Sequence, residues 1–412
     1  MSTPRPMGDP LDLLDIAFLL TDEERDMQAT VAGFLAERVR PHLPQWFEDA
    51  HFPRDLVPEL GKLGLLGMHL EGYGCAGAGA VAYGLACLEL EAADSGLRSF
   101  VSVQGSLSMY SIRRFGSEEQ RREWLPRLCA GEMLAAFGLT EPGGGTDVAG
   151  AMRTRARLVR AEEAGGGEWV IDGTKAFITN SGTAITGVVS VAAVTGTRGG
   201  ASGRPGEPEI STILVPSGTP GFTVAPKYSK VGWCASDTRE LSFDGCRVPE
   251  ANLLGQRGRG YGQFLATLDE GRVAIAALST GLSQGCVDES VRYVREREAF
   301  GGPIGRFQAL QFKIADMEAR AHTARLAYYH AAAKMIAGQP FKKEAAIAKL
   351  VASNAAMDNA RDATQIFGGY GFMNECPVGR FYRDAKVLEI GEGTSEVQRT
   401  LIARELGLAF NS

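Results

Sequence analysis

The sequence predicts an α+β fold in three parts: a helical N-terminal segment, a β-rich middle and a helical C-terminal segment. Two observations carry this. Apolar residues recur at helical spacing up to about residue 136 and again after about residue 254. Between these stretches lie short β-type runs broken by Gly and Pro, with no helical pattern among them. That order argues for an antiparallel sheet or barrel over a βαβ unit. The expected units are 1–136 (all α), 137–250 (β-sheet) and 251–412 (all α).

Each element has a local reason. Thr21 and Glu24 make a capping box ahead of the apolar series Met27, Val31, Phe34, Leu35 and Val39, and Pro41 stops that helix. A glycine-rich loop at 72–79 precedes a helix over about 81–93. Ser117 and Gln120 repeat the capping pattern before Trp124, Leu125 and Leu128. The period changes near Phe137, and 169–171, 188–194, 210–215, 222–224 and 240–243 read as strands. The Gly/Arg/Pro-rich stretch 196–208 reads as a mobile surface loop. Helices are expected over 307–338, over the Ala-rich 342–368, and over 395–406. There is no internal repeat.

Composition narrows the chemistry. With 412 residues, 44% of them apolar, the chain can bury a large core. The net charge of -6 is dispersed, without the basic stripe of a nucleic-acid binder. The seven cysteines are scattered and odd in number, which reads as free thiols in a reducing compartment. The five histidines make no metal-ligand spacing, so no metal is expected. Residues 1–10 lack the features of a signal or transit peptide, and no apolar run reaches membrane-spanning length. A cytoplasmic protein without membrane insertion is expected.

Two motifs point elsewhere and are set aside. Gly281-Leu282-Ser283-Gln284-Gly285 matches the nucleophile elbow of serine hydrolases, but it sits in a continuous helical pattern, not on a strand-to-helix turn. The glycine run 255–262 lacks the Gly-Lys-Ser/Thr ending of a P-loop and reads as a flexible connection.

Six segments spread over most of the chain resemble the acyl-CoA dehydrogenase family: 137–147 (FGLTEPGGGTD), 173–180 (GTKAFITN), 235–249 (ASDTRELSFDGCRVP), 297–317 (REAFGGPIGRFQALQFKIADM), 365–372 (QIFGGYGF) and 390–398 (IGEGTSEVQ). The resemblance implies the same helix–sheet–helix layout, one FAD per subunit, an acyl-CoA substrate and a homotetramer. It also implies an electron-transferring flavoprotein as acceptor. In such an enzyme a base removes a Cα proton while a hydride leaves Cβ for the flavin, and the protein positions the groups. The family's base maps to Glu392, between Gly391 and Gly393; its bland alternative is a solvated loop carboxylate. A rival, Glu270, lies one position from where some members carry the base on a helix. That position is Gly271 here, and about 100° of helical rotation would turn Glu270 away from it. Asp269, Arg272 and Gly393 match residues around the thioester.

The resemblance places Phe137, Leu139, Thr140, Thr146, Phe177 and Thr179 against the flavin. Gly143, Gly144 and Gly145 would let backbone N–H groups approach it. It places Arg297, Phe300 and Gln308, with Gln365, Gly368 and Gly369, against the flavin of a neighbouring subunit. Thr394 and Glu396 belong with the subunit's own flavin. Thr140 and Thr179 could equally be ordinary strand threonines, and Arg297 a surface cation.

The acyl group is less determined. The run 91–106 resembles the glutaryl-CoA dehydrogenase branch, in which the residue at Arg98 binds a distal carboxylate and those at Glu91 and Ser102 close the pocket. Their spacing allows the three to share a helix face. The alternative is a structural ion pair of Arg98 with Glu91 or Asp94. Gly391, where that branch has tyrosine, and the segment 235–243 look more like short- and branched-chain members. A carrier-protein thioester, an oxidase and a non-catalytic flavin-binding scaffold stay open as readings.

Overall fold

The computed structural model describes residues 20–160, 166–197 and 206–408. The N-terminal ten residues and most of the 196–208 loop lie outside the described residues. The α+β class and the helix–sheet–helix order are both present.

The first part holds α1 (Asp22–Arg38), α2 (Leu43–Glu48), α3 (Val57–Lys62), α4 (Ala80–Ala93), α5 (Ser95–Ser102), α6 (Tyr110–Phe115) and α7 (Glu118–Cys129). Both expected capping boxes form: Thr21 with Glu24 on α1 and Ser117 with Gln120 on α7. One face of α1 buries Val31 and Leu35 against Leu90 and Leu97. Between α5 and α6 the chain stays helical through a π-type stretch, Val103–Met109, a form found often at functional sites.

Two details differ from expectation. The helical first part contains a hairpin, β1 (Glu71–Gly72) with β2 (Cys75–Ala76). Its central residues Tyr73 and Gly74 have φ of 55° and 89°, the left-handed pair that a tight two-residue turn requires. Glu91 and Arg98 do not share a helix. Asp94 between them is extended (φ -159°, ψ 124°) and caps α5 by accepting from Leu97 N at 2.8 Å.

The middle part is built on β3 (Leu134–Gly138), β4 (Arg155–Arg160), β5 (Gly167–Thr179), β6 (Thr186–Thr197), β7 (Pro208–Pro216), β8 (Phe222–Val224), β9 (Thr238–Pro249) and β10 (Leu253–Leu254). A short helix, α8 (Val148–Ala151), follows the Gly143–Gly145 run. The strand order is β10-β7-β6-β4-β5-β9-β8, with β3 added beside β6. Pairing is antiparallel except where β3 and β4 run parallel to β6. Trp169, Ile171, Val189, Val191 and Ile213 fill one buried face.

The last part packs α9 (Gly260–Glu296), α10 (Gln308–Ile336) and α11 (Lys342–Phe367) side by side, followed by α12 (Pro377–Leu388) and α13 (Ser395–Glu405). Alanines line the contacts: Ala324 and Ala331 face Ala345, Ala348 and Ala352. Small side chains there let the helices approach closely. The hydrolase-like motif lies inside α9, where the Ser283 hydroxyl accepts from Asn359 Nδ2 at 2.6 Å and is buried. Sequence reading passed over α12, whose apolar face is Val378, Phe381, Ala385 and Leu388.

All seven cysteines are free thiols. Tertiary structure nevertheless brings Cys75 beside Cys129, whose thiol donates to the Gly74 carbonyl at 2.9 Å. Among the described residues no helix is long and apolar enough to cross a membrane, and no group of three or more metal-ligating side chains is assembled.

Candidate active site

The site forms where the turn between α12 and α13 meets the middle of α9. After α12, Gly391 N donates back to Val387 O at 2.8 Å and Ser395 N to Glu389 O at 3.0 Å, folding residues 389–395 into a tight loop. Glu392 and Gly393 sit at its tip with φ of 53° and 96°. A positive φ strains a glutamate, and such strain clusters at functional sites. Thr394 ends the loop by capping α13.

The Glu392 side chain turns inward onto α9. A Cβ on Gly271 would stand 1.9 Å from Glu392 Oε2. Glycine at 271 is therefore what lets the carboxylate lie against the helix backbone. Oε2 is buried without a hydrogen-bond partner. Burial pushes the carboxyl up to about 7, against the opposing pull of Lys349, Arg272 and Arg98. Arg272 is 6% exposed and ion-paired with Asp269 one turn earlier. Gly393 is the anchor of the loop: its carbonyl accepts from Lys349 Nζ at 2.5 Å and Gln398 Nε2 at 2.8 Å.

Glu270 points elsewhere, as the one-residue offset predicts. It accepts from the Tyr110 hydroxyl, with Arg114 at 3.6 Å. It does line the neighbouring cavity of about 50 Å³, together with His69, Tyr83, Cys87, Val273 and Tyr328. The Tyr83 hydroxyl shares a 2.6 Å hydrogen bond with Ser106. The His69 ring packs tilted against Tyr83, centroids 4.5 Å apart, and burial with the nearby Arg98 holds its imidazole down to about 4.

Arg98 lies over the Tyr83 ring, 6.0 Å from its centre. It is 0% exposed, and Nε, Nη1 and Nη2 meet no oxygen or nitrogen acceptor, with the Cys87 thiol as the neighbouring polar group. Neither expected ion pair forms. Glu91 accepts from the Ser95 hydroxyl, leaves Oε2 unpartnered, and is held well above the usual carboxylate range by burial. Asp94 is committed to the α5 cap. Ser102 donates to Ser99 O at 3.1 Å, so its hydroxyl is already engaged.

On the sheet side, Phe137 packs on Phe264 at 4.4 Å, Leu139 is buried, and the Thr140 carbonyl accepts from Ala176 N at 2.9 Å. Added Cβ atoms on Gly143 and Gly145 would meet nothing within 4 Å, and Thr146 is exposed. Phe177 departs from simple strand alternation. The β5–β9 register shifts between Lys175 and Ile178, and Phe177 has φ 61° and 66% exposure. A bulge thus presents the ring outward, with half-buried Thr179 two residues on. Beneath them the buried pair Lys175–Glu141 (2.8 Å) ties β5 to the 139–141 segment, since Lys175 also donates to Leu139 O.

The remaining expected residues form two other groups. Thr394 and Glu396 lie at the start of α13, with Glu396 exposed. Arg297, Phe300, Gln308, Gln365, Gly368 and Gly369 are exposed at the far end of α9–α11, where the Arg297 guanidinium lies over the Tyr370 ring, 5.8 Å from its centre. The helical rise puts that end roughly 37 Å along α9 from Gly271. Sequence reasoning missed Gly271 as the seat of the carboxylate, and also Lys349, Gln398 and the His69–Tyr83–Tyr328 wall. Lys349 carried a usable signal: a lone cation on the apolar stripe Ala345, Ala348, Ala352 and Ala356.

Comparison with known proteins places this geometry. Three family models match: acyl-CoA dehydrogenase N-terminal domain over residues 21–132, middle domain over 136–246 and C-terminal domain over 258–407. An acyl-CoA dehydrogenase of Bacillus subtilis is 41% identical over 388 residues, 94% of this chain and 98% of that protein. The mitochondrial short-chain specific acyl-CoA dehydrogenase of Rattus norvegicus is 40% identical over 394 residues, 95% of this chain and 92% of that one. The structure of a glutaryl-CoA dehydrogenase from Mycobacterium smegmatis in complex with FADH2 superposes with a TM-score of 0.89 at 40% identity, covering 98% of this chain and 100% of that chain. With all three family models matched in order along 21–407, the chain belongs to the acyl-CoA dehydrogenase family.

Proposed function

We propose that this protein is an FAD-dependent acyl-CoA dehydrogenase in which Glu392 is the base and Arg98 receives the carboxylate of a short dicarboxylic acyl chain such as glutaryl. The observation that carries the acyl assignment is the buried, unpartnered Arg98 guanidinium. A buried cation with no anion is costly, whereas a bound carboxylate would satisfy it through paired N–H donors.

The residues fit a flavin. The 143–145 backbone is open on its outer side, and the bulge at Phe177 offers an exposed aromatic face beside Thr179. Phe137, Leu139, Thr140 and Thr146 would complete that side, and Thr394 and Glu396 the start of α13. When bound, the flavin accepts the hydride that leaves Cβ.

The chain's own groups do the rest. Glu392, desolvated and near neutral in affinity for protons, can take the Cα proton without being locked in either state. Gly271 leaves room for its carboxylate, and Asp269 orients Arg272 beside it. The exposed Arg297–Tyr370 end lies too far from Glu392 to serve the same flavin. This supports Arg297, Phe300, Gln308, Gln365, Gly368 and Gly369 reaching a neighbour's flavin in a homotetramer. Onward transfer to an electron-transferring flavoprotein follows from the motif resemblance.

The test is flavin bleaching by a panel of acyl-CoAs. Glutaryl-CoA should exceed butyryl-CoA in kcat/KM. Glu392→Gln should keep the FAD spectrum and lose roughly 10²–10⁴-fold or more in bleaching, the range of a general base. Fast bleaching of Glu392→Gln would remove the base assignment. A second reading, a short aliphatic acyl chain, is favoured by the aliphatic Val273, Ala274 and Ala277 on the α9 side of the cavity; preference for butyryl-CoA would select it.

A further inference from the structure

We infer that Lys349 is a positioning residue for proton abstraction: it pins the turn carrying Glu392 through the Gly393 carbonyl and sets a buried positive charge beside that carboxylate. The inference rests on Glu392 being the base.

Lys349 lies on α11, 0% exposed, among the small buried residues Ala345, Ala346, Ala352, Ser353 and Ala356. Its ammonium donates to Gly393 O at 2.5 Å, a neutral carbonyl and not a carboxylate. A lysine buried this way is costly for stability alone, since an apolar side chain would pack the same space. Gln398 already supplies a neutral donor to the same carbonyl. What the lysine adds is charge.

That charge has one functional neighbour. The charged groups facing Glu392 are Lys349 from α11, Arg272 from α9 and Arg98 from α5. Those facing Lys349 are Glu392, Arg272, Glu389 at the end of α12 and Glu396 in the first turn of α13. Arg272 is committed to Asp269, and Arg98 lies against the Tyr83 ring. Of these three cations, Lys349 is the one that hydrogen-bonds the turn itself. It thereby couples two properties that a base needs: a carboxylate held at the α9 backbone, and one kept ionised enough to accept a proton despite burial. Burial draws the lysine down to about 8, with Glu392 the main opposing influence. Deprotonation of Lys349 at alkaline pH would thus withdraw the same support.

The test is the pH dependence of flavin bleaching in FAD-loaded enzyme. Lys349→Gln can still donate to Gly393 O but carries no charge; Lys349→Arg keeps the charge and changes its reach. In Lys349→Gln the acid limb should move up by about one pH unit, as expected for loss of a nearby opposite charge. Its rate at pH 7 should fall about fivefold, since a group moved from about 7 to about 8 is ionised in roughly a tenth of molecules instead of half, and should recover towards pH 8.5. Lys349→Arg should keep the wild-type acid limb with a pH-independent loss of rate. A wild-type acid limb in Lys349→Gln, whatever its rate, overturns the inference. Should Lys349→Gln fail to retain FAD, a displaced acid limb in Lys349→Arg overturns it instead. Failure of the base assignment is read separately, from bleaching by Glu392→Gln.

Discussion

The placement of Glu392 against α9 can be tested with a single methyl group. Gly271→Ala puts a Cβ 1.9 Å from Glu392 Oε2, where real Cβ contacts essentially never fall below 3.0 Å. The carboxylate must retreat by about 1.1 Å. The turn is pinned through Gly393 by Lys349 and Gln398, so the side chain of Glu392 has to absorb this retreat by rotating off its seat on α9. A misplacement of about 1 Å costs on the order of 10²-fold in rate, or about 2.7 kcal/mol in the barrier. Stability should move the other way, since alanine is favoured over glycine in a helix interior by roughly 0.5–1 kcal/mol. Rapid-mixing measurement of flavin bleaching at saturating acyl-CoA, beside a thermal melt, reads both. The expected pair is a hundredfold slower bleaching and an unchanged or higher Tm. Bleaching within about threefold of wild type would show that the working carboxylate does not rest on Gly271.

Three further outcomes follow from the geometry. Arg98→Gln should lower kcat/KM for glutaryl-CoA by about ten- to a hundredfold, the worth of a charged hydrogen bond of roughly 1.5–3 kcal/mol, and leave butyryl-CoA nearly unchanged; equal losses on both substrates would make Arg98 structural. Because burial raises the Glu392 carboxyl to about 7, the folded state binds more protons than the unfolded state between about pH 4.5 and 7. Stability should therefore fall as pH rises through that window, by roughly 3 kcal/mol at most. Glu392→Gln should raise Tm more at pH 8 than at pH 5, and an equal change at both would contradict the assignment. Arg297→Glu should weaken FAD retention in the assembled enzyme while leaving the fold intact by circular dichroism; tight FAD retention would remove Arg297 from the cofactor contacts.

Much of the molecule was legible in the chain because the deciding physics is local. The capping boxes at Thr21 and Ser117 need only residues three apart, and both form. The Ala-rich pattern of α11 and the β-runs of β6 and β7 state their own period. Segments such as 390–398 carried the family, because the turn needs a glycine at Gly393, where φ is 96°, directly after the carboxylate. Local reading failed where a neighbour in space decides. It put Glu91 and Arg98 on one helix face, but the Asp94 cap breaks the helix.

The sequence by itself determined the helix–sheet–helix order, the family and the identity of the carboxylate on the 391–393 turn. Only the tertiary structure decided what surrounds that carboxylate. Gly271, some 120 residues earlier, makes room for it, and Lys349 on a third helix holds its turn. It likewise decided that Arg98 is left without Glu91 or Asp94 as partner. The physical reason is that burial and charge are properties of a place in the packed chain. An orphaned guanidinium and a desolvated glutamate exist only once three helices have closed around them.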